Sequence, residues 1–363
     1  MSDAIERVRA RAFQVPTDKP ESDGTLAWDS TTCIVVELNS NNEVGIGYTY
    51  SDVVAASLIN RKYAPLIEGQ SVWDSHAILS RLSAESRNLG TRGIVACALS
   101  AIDVALWDLR AKKLQSPLVD VLGRCRSEVP IYGSGGFTSY SPGELQEQLA
   151  GWLEQGIRRV KMKVGREPTA DLARVQIARD AIGPNVELFV DANGAYSRKQ
   201  ALSFANQYAE LGVSWFEEPV SSDDLDGLRL LRNQSPAPIR ITAGEYGFDP
   251  IYFRRMLEAE AVDVLMADAT RCGGISGFLQ AASIGWSYQV PVSAHTAPWL
   301  HSNIAAALQN VVHIEYFHDH SRLEQLLFAG VAEPVEGQLV PNLDRYGLGI
   351  QVKQDAAQQF EIT

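Results

Sequence analysis

Cysteine is scarce in this sequence, and the few cysteines are not arranged in pairs. They lie far apart, with no CxxC pair and no histidine at metal-ligand spacing: Cys33, Cys97, Cys125 and Cys272. Secreted scaffolds held by disulfides and zinc-ribbon sites both need closely spaced cysteines, so this pattern argues against them. We therefore expect the protein to work in a reducing, cytoplasmic compartment.

Long apolar runs and excess positive charge are missing as well. The most apolar stretch, residues 93–107, contains Asp103 and is too short to span a bilayer. Residues 1–10 are charged from the third position and lack the apolar core of a signal peptide. The formal net charge of -12 offers no long-range attraction for polyphosphate. Neither a membrane nor nucleic acid is therefore expected as a partner.

The amino-terminal third has a mixed pattern of strands and helices. Segments 31–38 and 43–50 are strand-like and are joined by the turn-forming sequence SNN, which predicts a β-hairpin. Further along, apolar residues recur every three or four positions across 93–114, which predicts a helix. This block, up to about residue 125, is typical of an α+β domain.

From about residue 128, short apolar strands alternate with amphipathic helices. Helical stretches lie between all the predicted strands, which favours a closed parallel barrel over an open sheet. The sequence therefore predicts an α/β fold, a modified TIM barrel. The predicted strands cover residues 129–133, 159–164, 187–192, 214–219, 239–245, 262–268, 290–295 and 312–316.

Almost every predicted barrel strand carries an ionisable residue at or just before its carboxyl end. Such strand ends share one face of a barrel, so these side chains are expected to converge on one small volume. Any one of them alone is better explained as a helix cap, a surface ion pair or a structural histidine. Their regular spacing favours a shared site. The set is Lys161, Lys163, Asp191, Glu217, Glu245, Asp268, His295 and Glu315.

Three acidic residues of this set indicate a metal site. Asp191, Glu217 and Glu245 come from consecutive predicted strands and offer only oxygen ligands. Three adjacent carboxylates without a counterion would repel one another and lose hydration. Hard oxygen donors favour magnesium, with manganese as a substitute, over zinc or copper. The sequence therefore predicts a Mg²⁺ site that leaves coordination positions for a carboxylate substrate.

Taken in order, the motifs of this chain resemble those of the enolase superfamily, in its mandelate racemase-like subgroup, the mandelate racemase/muconate lactonizing enzyme family. The resemblance covers nearly the whole chain, because segments 101–123 and 333–350 outside the barrel are also similar to the family. The barrel motifs are KMK (161–163), VDAN (190–193), FEEP (216–219), AGE (243–245), ADATRCGGIS (267–276), AHTAP (294–298) and HIE (313–315).

The resemblance implies a (β/α)7β barrel covered by an α+β capping domain. Residues 1–125 would form the amino-terminal part of the cap, residues 126–328 the catalytic barrel, and residues 329–363 a segment that returns to the cap. The polar stretch 17–29 would be a capping loop that closes the site and excludes water.

The resemblance and the residue chemistry together imply removal of a proton α to a carboxylate. Lys163 would be the base, which requires a depressed pKa, and burial, the ammonium of Lys161 and the metal would all lower it. Lys161 would also act as a fixed positive charge on the substrate carboxylate. Across the site, His295 would be the second acid/base group, and Asp268 would orient its ring.

Two further residues complete the predicted site. Glu315, if protonated, would donate a hydrogen bond to a substrate carboxylate oxygen. Asn193 lies two residues beyond a predicted metal ligand and is expected to contact the substrate or the metal shell. Arg271 and Trp299 are weaker candidates for the pocket wall, because core or surface roles explain them equally well.

Two acid/base groups permit more than one reaction on a small carboxylate. The resemblance implies dehydration of an acid sugar, an aldonate or aldarate, to a 2-keto-3-deoxy acid, because acid-sugar dehydratases are the commonest members with this set of residues. Racemisation, epimerisation and cycloisomerisation remain as alternatives. A non-catalytic relative would be marked by a lost metal ligand, lysine or histidine, and none of these is lost here. Since relatives often form dimers or octamers, a homo-oligomer is also expected.

Overall fold

The computed structural model describes residues 3–362, and its amino-terminal part is a sheet covered by helices. Three strands lie side by side in an antiparallel sheet: β1 (Arg7–Ser22), β2 (Ala27–Ser40) and β3 (Glu43–Tyr50). The helices that follow are α1 (Val54–Leu58), α2 (Ala64–Ile67), α3 (Ser75–Glu85), α4 (Ile94–Lys113) and α5 (Leu118–Leu122). A π-helical turn joins α1 to α2. The predicted helix at 93–114 is thus confirmed as α4.

The turn between β2 and β3 explains the predicted hairpin. Asn41 and Asn42 have φ angles of 48° and 65°, in the left-handed region that asparagine tolerates better than most residues. Ser40 pairs directly with Glu43, so the turn has two central residues. In β3, Gly47 allows α4 to approach closely, because a Cβ there would lie 2.0 Å from the carbonyl oxygen of Ala101.

Parallel strands form a closed barrel in chain order, since the last strand also pairs with the first. All the predicted barrel strands are confirmed, with ends that differ by at most two residues. The predicted modified TIM barrel is therefore correct. The strands are β4 (Val129–Gly135), β5 (Arg159–Lys163), β6 (Glu187–Asp191), β7 (Val213–Glu217), β8 (Arg240–Ala243), β9 (Val264–Ala267), β10 (Val292–Ala294) and β11 (Val311–Phe317).

A helix follows each barrel strand. Capping boxes start two of them, where Ser141 pairs with Glu144 and Ser197 with Gln200. Within residues 3–362, no helix is long and apolar enough to cross a membrane. The helices are α6 (Pro142–Glu154), α7 (Pro168–Ile182), α8 (Arg198–Glu210), α9 (Leu225–Gln234), α10 (Pro250–Glu258), α11 (Gly274–Ser287), α12 (Pro298–Ala306) and α13 (His318–Leu327).

The carboxyl-terminal segment runs from the barrel back to the amino-terminal sheet. Its elements are β12 (Phe328–Ala329), β13 (Gln338–Leu339), β14 (Gln351–Val352), α14 (Gln354–Phe360) and β15 (Glu361–Ile362). Strand β13 pairs with β4 of the barrel, whereas β15 pairs with β1 of the sheet. We propose domain limits at 1–125, 126–328 and 329–363 on this basis.

A buried carboxylate joins the cap to the barrel. Asp103 of α4 accepts hydrogen bonds from the backbone N–H (2.9 Å) and the hydroxyl (2.7 Å) of Ser276 in α11. Burial raises the pKa of Asp103 to about 7, although Ser276 opposes this. Gly274, with φ of 75°, leaves room for the carboxylate, because a Cβ would lie 2.2 Å from it. This contact fixes the cap over the barrel.

An aromatic layer fills the lower part of the barrel interior. Phe189 stacks on Trp215 with ring centroids 5.0 Å apart and meets Tyr132 edge-on at 5.4 Å. Val264 and Met266 complete this buried cluster. Since the layer lies beneath the ionisable strand ends, it forms a rigid apolar floor for them.

Phe189→Ala tests the importance of this floor. The substitution leaves a cavity in a packed interior, so we expect the free energy of unfolding to fall by about 3–5 kcal/mol, as judged by urea denaturation. Phe189→Leu keeps most of the volume and should lose less than half as much. Equal stability of Phe189→Ala and the unsubstituted protein would show that the layer is not needed.

Candidate active site

Strand register brings the predicted metal ligands together. Asp191 at the end of β6 pairs with Glu217 at the end of β7 and with Lys163 at the end of β5. Glu245 follows β8 after Gly244, whose φ of 134° and close approach to Met266 exclude a side chain. Ligand oxygens of the three acidic residues all lie within 4.8 Å of one another.

This acidic cluster fits a hard divalent cation. Asp191, Glu217 and Glu245 are all buried, and Glu217 Oε1 has no hydrogen-bond partner among the described residues. Burial raises the pKa of Glu217 to about 7, because Lys161 only partly offsets burial and the neighbouring anions. Mg²⁺ prefers oxygen ligands, above all carboxylates whose charge is not fully neutralised by protein cations. These three residues could therefore hold Mg²⁺.

Lys161 forms ion pairs with carboxylates beneath the cavity. Its Nζ lies 2.8 Å from Glu217 Oε2, 2.8 Å from Glu315 Oε1 and 3.6 Å from Asp191 Oδ2, and the residue is fully buried. Burial lowers the pKa of Lys161, but Glu217 and Glu315 outweigh it and raise the pKa well above the ordinary value. The side chain therefore stabilises the acidic cluster from below.

Lys163 reaches the cavity, but its pKa differs from the prediction. Its Nζ lies 2.5 Å from Asp191 Oδ2. Burial and Lys161 lower the pKa of Lys163, as expected, yet Asp191 and Glu245 outweigh them and raise it above the ordinary value. The predicted lowering of the Lys163 pKa is thus wrong when only the protein side chains act, because the carboxylate of Asp191 stabilises the Lys163 ammonium.

His295 and Asp268 form a hydrogen-bonded pair at the ends of β10 and β9. His295 Nδ1 lies 2.8 Å from Asp268 Oδ2, and Nε2 lies 3.1 Å from Glu245 Oε2. Burial lowers the pKa of His295, but Glu245, Asp268 and Glu315 outweigh it and raise the pKa to about 10. The ring is therefore an imidazolium near neutral pH. The predicted pairing is present, and Glu245 together with Asp268 stabilises the charge of the ring.

Glu315 is an ionised acceptor, which corrects the prediction of a protonated donor. It accepts hydrogen bonds from the Ser134 hydroxyl (2.5 Å) and the Thr296 backbone N–H (3.2 Å). Burial opposes ionisation, but Lys161 and His295 outweigh it and lower the pKa of Glu315 to about 2. The sequence could not reveal this, because it depends on cations from two distant strands.

Asn193 lies at the cavity surface, where the sequence placed it. Its φ of 46° is left-handed, and its backbone N–H donates to Asp191 Oδ1 at 2.9 Å. The side chain lines the cavity, and Oδ1 is buried without a partner among the described residues. Of the two weaker candidates, Arg271 lines the cavity, whereas Trp299 is buried and donates to the Leu348 carbonyl.

A cavity of about 420 Å³ lies between the strand ends and the cap, and Lys163, His295 and Asn193 all line it. The sequence did not indicate most residues on the cap side of the cavity, because these polar residues belong to no recognisable motif. The missed residues on the cap side include Ser30, Thr32, Tyr50 and Ser51, and His320 is missed on the barrel side.

The stretch 17–29 covers the cavity, mostly as the ends of β1 and β2 rather than as a loop. Its turn docks on the barrel through Gly24, where a Cβ would lie 2.4 Å from the Ala192 carbonyl oxygen. The Thr138 backbone N–H donates to the Ser22 carbonyl at 2.8 Å and fixes one side of the turn. The turn thereby covers part of the cavity mouth.

Asp268→Asn tests the origin of the charge on His295. Loss of the anion should lower the pKa of His295 by at least one unit, measured by NMR titration of the ring protons, with His295→Asn identifying the signal. Asp263→Asn, just before the other end of β9, is the matched control and should leave that pKa unchanged. An unshifted pKa in Asp268→Asn would remove Asp268 from this role.

Family models and solved structures agree with this architecture. A model described as "Mandelate racemase / muconate lactonizing enzyme, N-terminal domain" matches residues 9–123, and one described as "Enolase C-terminal domain-like" matches residues 144–356. A mandelate racemase/muconate lactonizing enzyme-like protein from Rubrobacter xylanophilus is 50% identical, with a TM-score of 0.96 and coverage of 99% of this chain and 100% of that one.

Two relatives of named activity are more distant. D-galactarolactone cycloisomerase from Agrobacterium fabrum is 28% identical over 99% of both chains. L-Talarate dehydratase from Polaromonas sp. JS666, solved with Mg and L-glucarate, is 28% identical, with a TM-score of 0.90 and coverage of 100% of this chain and 98% of that one. Fold, site geometry and these matches lead to one conclusion: the chain belongs to the mandelate racemase/muconate lactonizing enzyme family of the enolase superfamily.

Proposed function

We propose that this protein is a magnesium-dependent lyase that removes the proton α to the carboxylate of an acid sugar and dehydrates it to a 2-keto-3-deoxy acid. One observation carries the proposal: His295, held as an imidazolium, lines the same cavity as Lys163. A proton donor and a proton acceptor on different walls are what an elimination needs. Strands β5 and β10 are not neighbours in the barrel, so the two groups approach from different sides.

Asp191, Glu217 and Glu245 would hold the Mg²⁺, as proposed from their buried oxygens. The α-proton of a carboxylate is weakly acidic because its removal adds a second negative charge, and Mg²⁺ acts as a Lewis acid that stabilises this charge. Mn²⁺ presents the same preference for oxygen donors and would substitute. The nearby ammonium of Lys161 adds positive potential from beneath the cavity.

Lys163 would accept the α-proton at Nζ. To do so it must be neutral, and Asp191 is the main group that keeps it charged. If Asp191 served as a metal ligand, its charge would be shared, and the lowering effects of burial and Lys161 on the pKa of Lys163 would be less opposed. In this proposal the metal site and the base are coupled through one carboxylate.

His295 would complete the elimination as the general acid. Asp268 holds Nδ1, so Nε2 carries the transferable proton. As the β C–O bond breaks, this proton joins the departing hydroxyl and one water molecule leaves. The resulting enol then tautomerises: the β-carbon takes up a proton, the C2 hydroxyl loses its proton, and the 2-keto-3-deoxy acid forms. Ionised Glu315 would help retain the imidazolium, and Asn193 would hydrogen-bond the substrate.

Racemisation, epimerisation or cycloisomerisation is the second candidate. The observation that favours it is the same placement of Lys163 and His295, since two groups that exchange protons from different walls can return the proton to either face. A non-catalytic role is disfavoured, because every predicted acid, base and ligand lies in the site. We further propose a homo-oligomer in a reducing cytoplasm, in keeping with four free cysteines.

Solvent exchange separates the two proton transfers. With Mg²⁺ and acid sugars in D₂O, Lys163→Ala should lose both α-proton exchange and product, because the base is missing. His295→Asn should retain exchange but form product at least about 100-fold more slowly. NMR follows exchange, and a 2-keto acid assay follows product. Persistent α-exchange in Lys163→Ala would exclude this lysine as the base, and absence of exchange with every acid sugar would contradict the function.

Glu217→Gln tests the metal site without relying on turnover. Loss of one anionic ligand should weaken Mg²⁺ binding, measured by calorimetry, at least about thirtyfold. Glu218→Gln is the matched control, because Glu218 is the buried neighbour in the chain but is not one of the three grouped ligands. Equal Mg²⁺ affinity in both variants would place the metal elsewhere.

A further inference from the structure

We propose that the substrate is a monocarboxylic acid sugar, an aldonate rather than an aldarate, whose uncharged polyol end lies against the capping domain. The inference rests on the proposed function, because it takes the carboxylate end to bind near the metal ligands. It is carried by the distribution of charge around the cavity. We call the cavity-lining residues of segment 23–52 the cap wall.

The cations that line the barrel side of the cavity are already compensated. Lys163 and His295 pair with carboxylates, as described above. Arg271 is the remaining guanidinium at the cavity: its Nη1 lies 3.6 Å from Glu245 Oε1 and its Nε lies 3.6 Å from Asp268 Oδ2. Its charge is therefore shared between two carboxylates of the acidic strand ends.

The cap wall itself offers hydroxyl groups and negative charge. Ser30, Thr32 and Ser51 contribute hydroxyls to the cavity lining. Asp23 and Asp52 contribute carboxylates, and no lysine or arginine from this segment lines the cavity. Hydroxyls and carboxylates accept hydrogen bonds from the hydroxyl groups of a sugar, whereas neither neutralises a second carboxylate.

On the barrel side of the cavity, His320 adds an uncharged side chain next to the cap wall. Its ring stacks on Tyr50 of the cap, with centroids 3.5 Å apart and planes 17° apart, and it meets Phe317 edge-on. Burial, and then the charge of His295, lower the pKa of His320 to about 3. Near neutral pH this side chain is uncharged, so it can exchange a hydrogen bond with a hydroxyl but cannot pair with an anion.

The consequence is a preference set by charge. An aldarate would place its second carboxylate beside the carboxylates of Asp23 and Asp52 and beside neutral hydroxyls. The like charges would repel one another, and no cation of the cap wall would compensate them. An aldonate presents a primary alcohol at the same place, which the cap wall can hydrogen-bond. The cavity therefore discriminates against the second carboxylate because no cation of the cap wall pairs with it, and not because the group is too large.

Matched pairs of acids that differ only at the terminal carbon test this inference: D-gluconate with D-glucarate, and D-galactonate with galactarate. Binding is measured by calorimetry on Mg²⁺-loaded Lys163→Ala, which lacks the proposed base, and turnover is measured on the unsubstituted enzyme. We expect the better aldonate to bind at least tenfold more tightly than its aldarate. Equal or tighter binding of the aldarate overturns the inference, as does absence of binding by all four acids.

The two readouts separate this inference from the proposed function. A failure of turnover and α-exchange with every acid contradicts the function, whereas the ratio of the two dissociation constants still decides the substrate class. Thr32→Lys, made in the same Lys163→Ala background, places a cation on the cap wall and should improve aldarate binding at least tenfold. Thr32→Gln, similar in length but neutral, should not. Equal aldarate affinity in both variants would show that charge at the cap wall does not select the acid.

Discussion

The mutual repulsion of three buried carboxylates is the constraint on which the rest of the site depends. Asp191, Glu217 and Glu245 lie within one ligand shell at the mouth of the barrel. Burial destabilises their negative charges. Lys161 stabilises Glu217, and His295 stabilises Glu245 from another side of the cluster. The cluster thereby sets the charge state of its neighbours. It keeps His295 protonated, and it holds Lys163 as an ammonium as long as Asp191 does not bind a metal ion.

The scaffold makes this concentration of charge sustainable. Parallel register fixes which side chains meet, and the aromatic layer around Phe189 gives the ionisable groups a rigid floor. Above them, the cap is fixed by the buried contact between Asp103 and Ser276, and its turn docks on the barrel through Gly24. The low local dielectric that results strengthens every ion pair inside, which is why the pKa values move so far.

The sequence predicted the barrel and the set of ionisable residues because both depend on periodicity and on spacing along the chain. It predicted the wrong charge state for Glu315 and did not predict the pairing of Lys163 with Asp191, because these result from distances between side chains on different strands. The cap wall was also invisible, since Thr32 and its neighbours acquire a role only when the hairpin is docked over the barrel mouth.

Neutron diffraction at neutral pH tests the central claim most directly, because it locates the exchangeable hydrogens of the site. The central claim is that the carboxylate cluster holds His295 as a proton donor in the same cavity as Lys163. The account predicts deuterium on both ring nitrogens of His295 and none on the Glu315 carboxylate. A neutral His295 ring, or a deuterated Glu315, would contradict it.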